Sequence, residues 1–208
     1  MNRRTFIGMV AVGAIAAAFA ARSQQTERVR RIGVLSVEAF PPEQWQSIQT
    51  ALRETGWIKG RNLIVESRDA HGDIARLRPL ADELVRLKVE LIVGAGTVAS
   101  LAAKDATSTV PIVFFGSGDP LRTGLVTNLA RPGGNITGTT TIATDLGAKR
   151  AQLLRETLPS AVRIGELVNL TNPVFRLNRD ELERTYRSLG VQPIFVEVGT
   201  ADELEGAV

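Results

Sequence analysis

Two short segments, Leu91-Ile92-Val93 and Ile112-Val113-Phe114-Phe115, are apolar at successive positions, and each lies between stretches with helical spacing. A strand with both side-chain rows apolar must be covered on both faces, as central strands of helix-flanked parallel sheets are. The surrounding pattern repeats that logic. Residues 29–37 form a β-branched apolar run, Trp45, Ile48 and Leu52 recur at helical spacing, and Gly56 reads as a stop. Residues 63–67 are the next strand candidate, Ile74, Leu77, Ala81 and Leu84 mark the next helix, and residues 98–106 a third. Repeated βα units of this kind predict an α/β chain with a parallel sheet and helices on both faces.

The cycle restarts after the turn-dense run Ala130-Arg131-Pro132-Gly133-Gly134-Asn135-Ile136-Thr137-Gly138. Residues 146–158 read as a helix, with Leu154 and Leu158 one turn apart. The run Val162-Arg163-Ile164-Gly165 echoes Val29-Arg30-Arg31-Ile32-Gly33, and Arg187-Ser188-Leu189-Gly190 echoes Arg53-Glu54-Thr55-Gly56. These echoes predict a second lobe built like the first. Residues 24–140 are expected to form the first lobe, and residues 141–208 the hinge crossing and the start of the second. Thr200 and Glu203 match a capping box that opens a helix. With only two strand candidates, the second lobe is expected to be incomplete in this chain.

At the N-terminus, Asn2-Arg3-Arg4-Thr5-Phe6-Ile7 precedes an Ala- and Gly-rich stretch over residues 9–21, and Ala21-Arg22-Ser23 places small residues at alternate positions. That is the layout of an export signal over residues 1–23, cleaved after Ser23. The apolar stretch is shorter than the roughly 20 residues of a stable membrane span. The paired arginines are similar to the twin-arginine signal. This segment carries three arginines and no acid, so the remaining basic residues equal the 22 acidic ones. A balanced mature chain has no electrostatic footprint for nucleic acid. The chain has no cysteine, which excludes disulfides, thiol nucleophiles and a lipidated cysteine after the signal. A soluble exported protein, not inserted in a membrane after cleavage, is the expectation.

In open α/β sheets ligands sit beyond the carboxyl ends of the strands, where helix N-termini present free N–H groups. The strand-to-helix loops therefore supply the candidate ligand contacts: Ser36, Gly96 and Thr97, Asp119 and Pro120, and Asn172. Thr97 is placed to cap the helix it opens. Asp119-Pro120 and Asn172-Pro173 each read as an N-cap followed by proline at the first helical position. The pattern Gly94-x-Gly96-x-x-Ala99 resembles the dinucleotide fingerprint and leaves an exported NAD(P)-dependent oxidoreductase open as the alternative. That fingerprint normally follows the first strand, whereas two βα units precede it here. His71, the only histidine, reads as a surface loop residue, and no serine-elbow, Walker or His-rich metal pattern is present. No catalytic residue and no metal site is predicted.

Several longer strings carry a family resemblance. Gly56-Trp57-Ile58-Lys59-Gly60-Arg61-Asn62-Leu63, Leu84-Val85-Arg86-Leu87-Lys88-Val89, Gly96-Thr97 leading into Leu101-Ala102-Ala103-Lys104, Gly118-Asp119-Pro120 with Gly124-Leu125-Val126, and residues 130–138 together closely resemble the ABC transporter substrate-binding family, related to tryptophan- and tyrosine-binding members. The resemblance implies a periplasmic binding protein of type I. On that resemblance two Rossmann-like lobes joined by a hinge are expected, with no cofactor and no enzymatic activity. Its ligand is held between the lobes for delivery to a membrane permease and its ATPase; separately, the helix starts expected at Thr97 and Pro120 would hold a carboxylate, so an amino acid or similar small carboxylate is the expected ligand. Members continue past residue 208, and the loop Glu38-Ala39-Phe40-Pro41-Pro42 does not match a family pattern.

Overall fold

The structure is a computed structural model that describes residues 29–141, 146–169, 171–199 and 203–207. The expected export signal and the capping-box residue Thr200 lie outside the described residues.

Strands β1 (Arg30–Ser36), β2 (Leu63–Asp69), β3 (Leu91–Ala95), β4 (Ile112–Gly118) and β5 (Ile136–Thr141) form one parallel sheet in the order β2-β1-β3-β4-β5. Ile32 of β1 pairs with Val65 on one side and Leu91 on the other, so the three strands share one register. Helices α1 (Pro42–Glu54), α2 (Leu77–Arg86) and α3 (Gly96–Ala106) connect the first four strands. Leu77, Ala81 and Leu84 of α2 and Ala99 and Ala103 of α3 are buried with Leu35, Ile92, Ile112 and Phe114 in one core. The 3.6-residue period of those helix positions is what turns one stripe toward the strands.

Burial on both sides of the central strands is uneven. Ile92, Ile112 and Phe114 are buried, whereas Leu91, Val93, Val113 and Phe115 on the alternate positions are only half-buried. Helix α1 has no buried residue. Its contribution runs through Trp45, whose ring centroid lies 6.2 Å from that of Phe40, which stacks in turn at 5.7 Å on Phe115. The doubly apolar rows of β3 and β4 thus meet a packed helix layer on one face and an aromatic bridge on the other.

The helix expected to open at Asp119-Pro120 does not form. Residues 119–135 cross from β4 to β5 as a series of turns. The Asp119 carboxylate accepts the Arg122 N–H at 3.0 Å and its carbonyl accepts that of Thr123 at 3.1 Å, so it caps a single turn. Leu125 and Val126 then dive into the core. Burying those two side chains six and seven residues after the cap pulls the chain off any helical path. Two asparagines of the family strings hold such connections in place. The Asn62 side chain accepts from Ile58 N–H at 2.7 Å and donates to Gly56 carbonyl at 2.9 Å. Asn135 donates to the carbonyls of Thr107 and Val110 at 3.1 and 2.7 Å. Their roles are structural.

A second parallel pair, β6 (Arg163–Val168) and β7 (Gln192–Glu197), pairs in register from Arg163 opposite Gln192 to Val168 opposite Glu197. Helices α4 (Gly147–Thr157) and α5 (Pro173–Ser188) accompany it, with Ala151, Tyr186 and Val191 at the centre of a small core. The echo between residues 53–56 and 187–190 is a shared helix stop. Gly56 and Gly190 both have positive φ, and each donates its N–H to the carbonyl three residues back at 3.0 Å.

Tyr186 makes that small core measurable. Its hydroxyl is pushed from 10.0 up to about 12, first by burial, then by its hydrogen bond to Glu166 and that carboxylate's charge, with Arg150 pulling the other way. The folded state therefore favours the neutral phenol. The stabilisation is fully present below the unfolded value and is lost as pH rises through the folded one. Because the chain has one tyrosine, its phenolate absorbance reports this site alone. The expected titration midpoint is about 12 in the native protein and about 10 in denaturant. A native midpoint equal to the denatured one would show that the hydroxyl is open to water.

Candidate ligand-binding cleft

The order β2-β1-β3 makes β1 and β3 a topological switch point, since the chain leaves β1 toward β2 and returns to the other side at β3. Connections on opposite sides of such a pair leave a crevice at the carboxyl ends of the strands. A cleft of about 1290 Å³ lies there. The five-stranded sheet contributes Val37 and Glu38 after β1, His71 and Asp73 after β2, Ala95 to Val98 at the start of α3, and Gly116 and Gly118 of β4. The two-stranded sheet faces them with Leu167, Val168 and Asn169 at the end of β6, Thr171, Asn172 and Val174 at the start of α5, and Val198 after β7.

The expected contacts are divided by this geometry. Gly96 and Thr97 line the cleft at the first turn of α3, and Asn172 lines it at the start of α5. Asn172 is the helix cap expected of it, accepting the Val174 N–H at 3.0 Å. Thr97 is not a cap. It is the second residue of α3, whose N-cap position is Ala95. Its buried hydroxyl lies 3.1 Å from Ser117 Oγ and accepts the Gly118 N–H at 3.1 Å. That pair of bonds ties the start of α3 to the end of β4, so the Thr97 side chain holds together two elements of the same cleft wall.

Ser36 does not line the cleft. It ends β1 as a buried residue whose carbonyl accepts the Ala70 N–H at 3.0 Å, and Val37 and Glu38 take the cleft positions instead. Asp119 and Pro120 do not line it either. Pro120 is buried beside the turn, while Asp119 borders a separate cavity of about 420 Å³ that Asn172 also borders. Without a helix at Pro120 there is no second N-terminus on β4 to hold an anion, and proline has no N–H to give.

The strand-end rule also applies to the loop after β2, where no ligand contact is expected from the sequence. His71 has φ 50° and its Nδ1 lies 2.5 Å from Asp69 Oδ1. Its exposure, expected from the sequence, is exposure toward the open cleft. Asp73 accepts the Ala75 N–H at 3.0 Å and so caps the short turn Ile74–Arg76. Thr171 lies in the Thr171-Asn172-Pro173 loop that the sequence marks out, whereas Asn169 carries no local signal and reaches the cleft only because β6 ends there. Asn169 Oδ1 accepts the Thr171 N–H at 2.9 Å, which shapes the approach to α5.

Two electrostatic features follow. The first turns of α3 and α5 both open on the cleft, and a helix N-terminus carries a partial positive charge, although at α5 Pro173 has no N–H and Asn172 already accepts that of Val174. Glu38 and Asp73 bring carboxylates to the same space. No described helix is long and apolar enough to cross a membrane.

An α/β sheet of this order with a crevice at its switch point, faced by a second parallel unit, has the fold of the type I periplasmic binding proteins. Within it, residues 38–205 match the family described as ABC transporter substrate binding protein, and the chain belongs to that family. The chain is 28% identical over 190 residues to a tyrosine-binding protein of Clostridioides difficile, a match covering 90% of this chain and 54% of that one. Among solved structures, a conserved domain protein from Vibrio cholerae O1 aligns with a TM-score of 0.78 at 24% identity, over 86% of this chain and 61% of its own. A domain from Streptococcus pneumoniae in complex with L-Trp aligns with a TM-score of 0.74 at 23% identity, over 86% of this chain and 60% of its own. The chain spans 54–61% of the length of these three proteins.

Proposed function

We propose that the protein is the substrate-binding component of an ABC importer and takes an amino acid or similar small carboxylate into the cleft. The observation that carries this reading is that two helix N-termini, those of α3 and α5, open on one cleft from its two walls. The ligand carboxylate meets the first-turn N–H groups of α3 at Gly96, Thr97 and Val98, where the helix has no internal acceptors for them. Glu38 and Asp73 accept the ligand ammonium. Asn172 and its neighbours on α5 close from the second lobe, which begins near residue 141. A ligand touching both walls stabilises the closed arrangement through contacts that the open one lacks. The tyrosine-binding relative and the neighbour in complex with L-Trp support an amino acid as cargo. On this reading the protein binds without transforming its ligand, is exported to the periplasm by the N-terminal signal, and hands the ligand to a permease driven by its ATPase.

The test is thermal unfolding of the purified protein with L-tyrosine, L-tryptophan, L-leucine, glucose, adenosine and NAD. A ligand at a hundred times its dissociation constant adds about 2.7 kcal/mol, which for a chain of this size raises the melting temperature by about 5–10 °C. A shift with one or more of the amino acids is expected. A shift with glucose or adenosine alone would overturn the carboxylate reading, and a shift with NAD alone would restore the oxidoreductase.

A further inference from the structure

The turn after β4 holds a side chain that the cleft does not use. We propose that Arg122 is a positioning residue that clamps α5 to the β4 exit and so sets the separation of the two cleft walls before any ligand arrives. Its guanidinium donates to the Asn178 side-chain oxygen, to Glu181 Oε2 at 3.1 Å and to the Leu177 carbonyl at 2.6 Å, all on α5. Three acceptors on one helix suit the planar fork of arginine and not the single ammonium of lysine.

Both sides of the clamp are braced. Asp119 accepts the Arg122 N–H at 3.0 Å, and its other oxygen lies 3.9 Å from Arg122 Nε, which aims the side chain toward α5. Asp119 holds this place at φ 37°, a conformation that costs a non-glycine residue energy and persists where the surroundings impose it. On α5, Asn178 donates to the Val174 carbonyl at 2.7 Å, which turns its oxygen toward Arg122. Gly118 and Val174 sit so close that a methyl on Gly118 would lie 3.1 Å from Val174 Cγ1.

The position behind the cleft gives the clamp its consequence. Gly118, Asn172 and Val174 line the cleft, and Arg122 binds the next turns of the same helix. Moving α5 away from β4 opens the cleft only by breaking the clamp. Clamp and ligand therefore favour the same arrangement, and loss of the clamp lowers the affinity for every ligand by the same factor. The inference rests on the two-lobed reading of the fold, and its primary readout requires no ligand.

The chain has no cysteine, so Asp105→Cys in α3 and Arg184→Cys in α5 accept a spin-label pair for pulsed distance measurement. One narrow distribution is expected with Arg122 present. Arg122→Ala should shift or broaden it, lowering the ratio of the original to the displaced population at least about threefold, the scale of an exposed charge cluster. Arg122→Lys should lie between the two. Arg187→Ala, which removes the exposed pair with Glu183 on the same helix, should leave the distribution unchanged. If Arg122→Ala does not fold, Asn178→Ala with Glu181→Gln removes acceptors from the α5 side and is expected to give the same broadening. An unchanged distribution in the folded clamp variant would overturn the proposal. Titration with L-tyrosine and L-tryptophan reads the other question: no binding by any form would sink the amino-acid reading and leave the distance result standing.

Discussion

Gly138→Ala should lower the melting temperature by about 6–12 °C, the equivalent of about 3 kcal/mol for a chain of this size. Gly138 pairs with Phe114 across β4 and β5. A methyl there would sit 2.0 Å from the Phe114 carbonyl oxygen, 2.6 Å from its Cγ and 2.7 Å from its carbonyl carbon. Two of those three atoms are backbone of a strand paired on both sides, so no rotamer change relieves the contact. Strand β5 must lift off β4, and with it Thr141, which borders the cleft. Gly165→Ala is the matched control, because nothing lies within 4 Å of a methyl at that position. Thermal denaturation by circular dichroism reads both variants. A Gly138 variant melting within about 2 °C of the parent would show that β5 does not pair with β4 in this register.

Gly94→Ala is expected to cost about 2 kcal/mol, within the usual range for overpacking, and to weaken ligand binding as well. The added methyl would lie 2.6 Å from Ser100 Oγ and 2.8 Å from Ser100 Cα. Helix α3 can relieve this only by moving away from β3. The same helix carries Gly96 and Thr97 into the cleft, and Ser100 donates to the carbonyls of Gly94 and Gly96 at 3.1 and 2.6 Å. Adding Ser100→Ala removes the clash with the hydroxyl but leaves the clash with the helix backbone, so it should restore part of the stability and not all. The measurement is a melting curve together with the dissociation constant of whichever amino acid stabilises the parent. Full stability in Gly94→Ala would mean that α3 does not rest on β3 at this point. The close approach of α3 to β3 also gives the first glycine of Gly94-x-Gly96-x-x-Ala99 a packing role that needs no nucleotide.

Strands β3 and β4 were legible because a buried parallel strand leaves a mark in a few adjacent residues, whereas β5 (Ile136–Thr141), with only Ile136 buried, lies where the sequence reads as a turn-dense run. Leu91 to Val93 and Ile112 to Phe115 can satisfy their side chains in few other ways, and β3 and β4 lie where those runs are. The helix stops at Gly56 and Gly190 were legible for a similar reason, since each acts within one turn of its own backbone. Asn172 could be read from Asn-Pro because an N-cap is a bond between residues two apart.

Asp119-Pro120 carries the same local signal and does not start a helix. What decided there was burial of Leu125 and Val126, a contact with residues distant in sequence. Thr97 was misread in the same way, because Ser117 and Gly118, brought near only by the sheet, outcompete its own helix for the hydroxyl. Ser36 missed the cleft by a step of one or two residues along a strand end, a difference that side-chain alternation makes decisive. His71 and Asp73 were passed over because nothing in their own segment says that β2 ends beside β1 and β3.

The sequence by itself determined the α/β class, the family, the βα order of the first four strands and the Asn172 cap, since each rests on interactions spanning a few residues or on long strings shared with relatives. Only the tertiary structure decided which strand ends meet, which hydroxyls are committed to packing, and that Arg122 reaches α5. Those outcomes depend on pairs separated by twenty to sixty positions, such as Thr97 with Ser117 and Arg122 with Glu181, and no local pattern records which long-range partner a polar side chain will find.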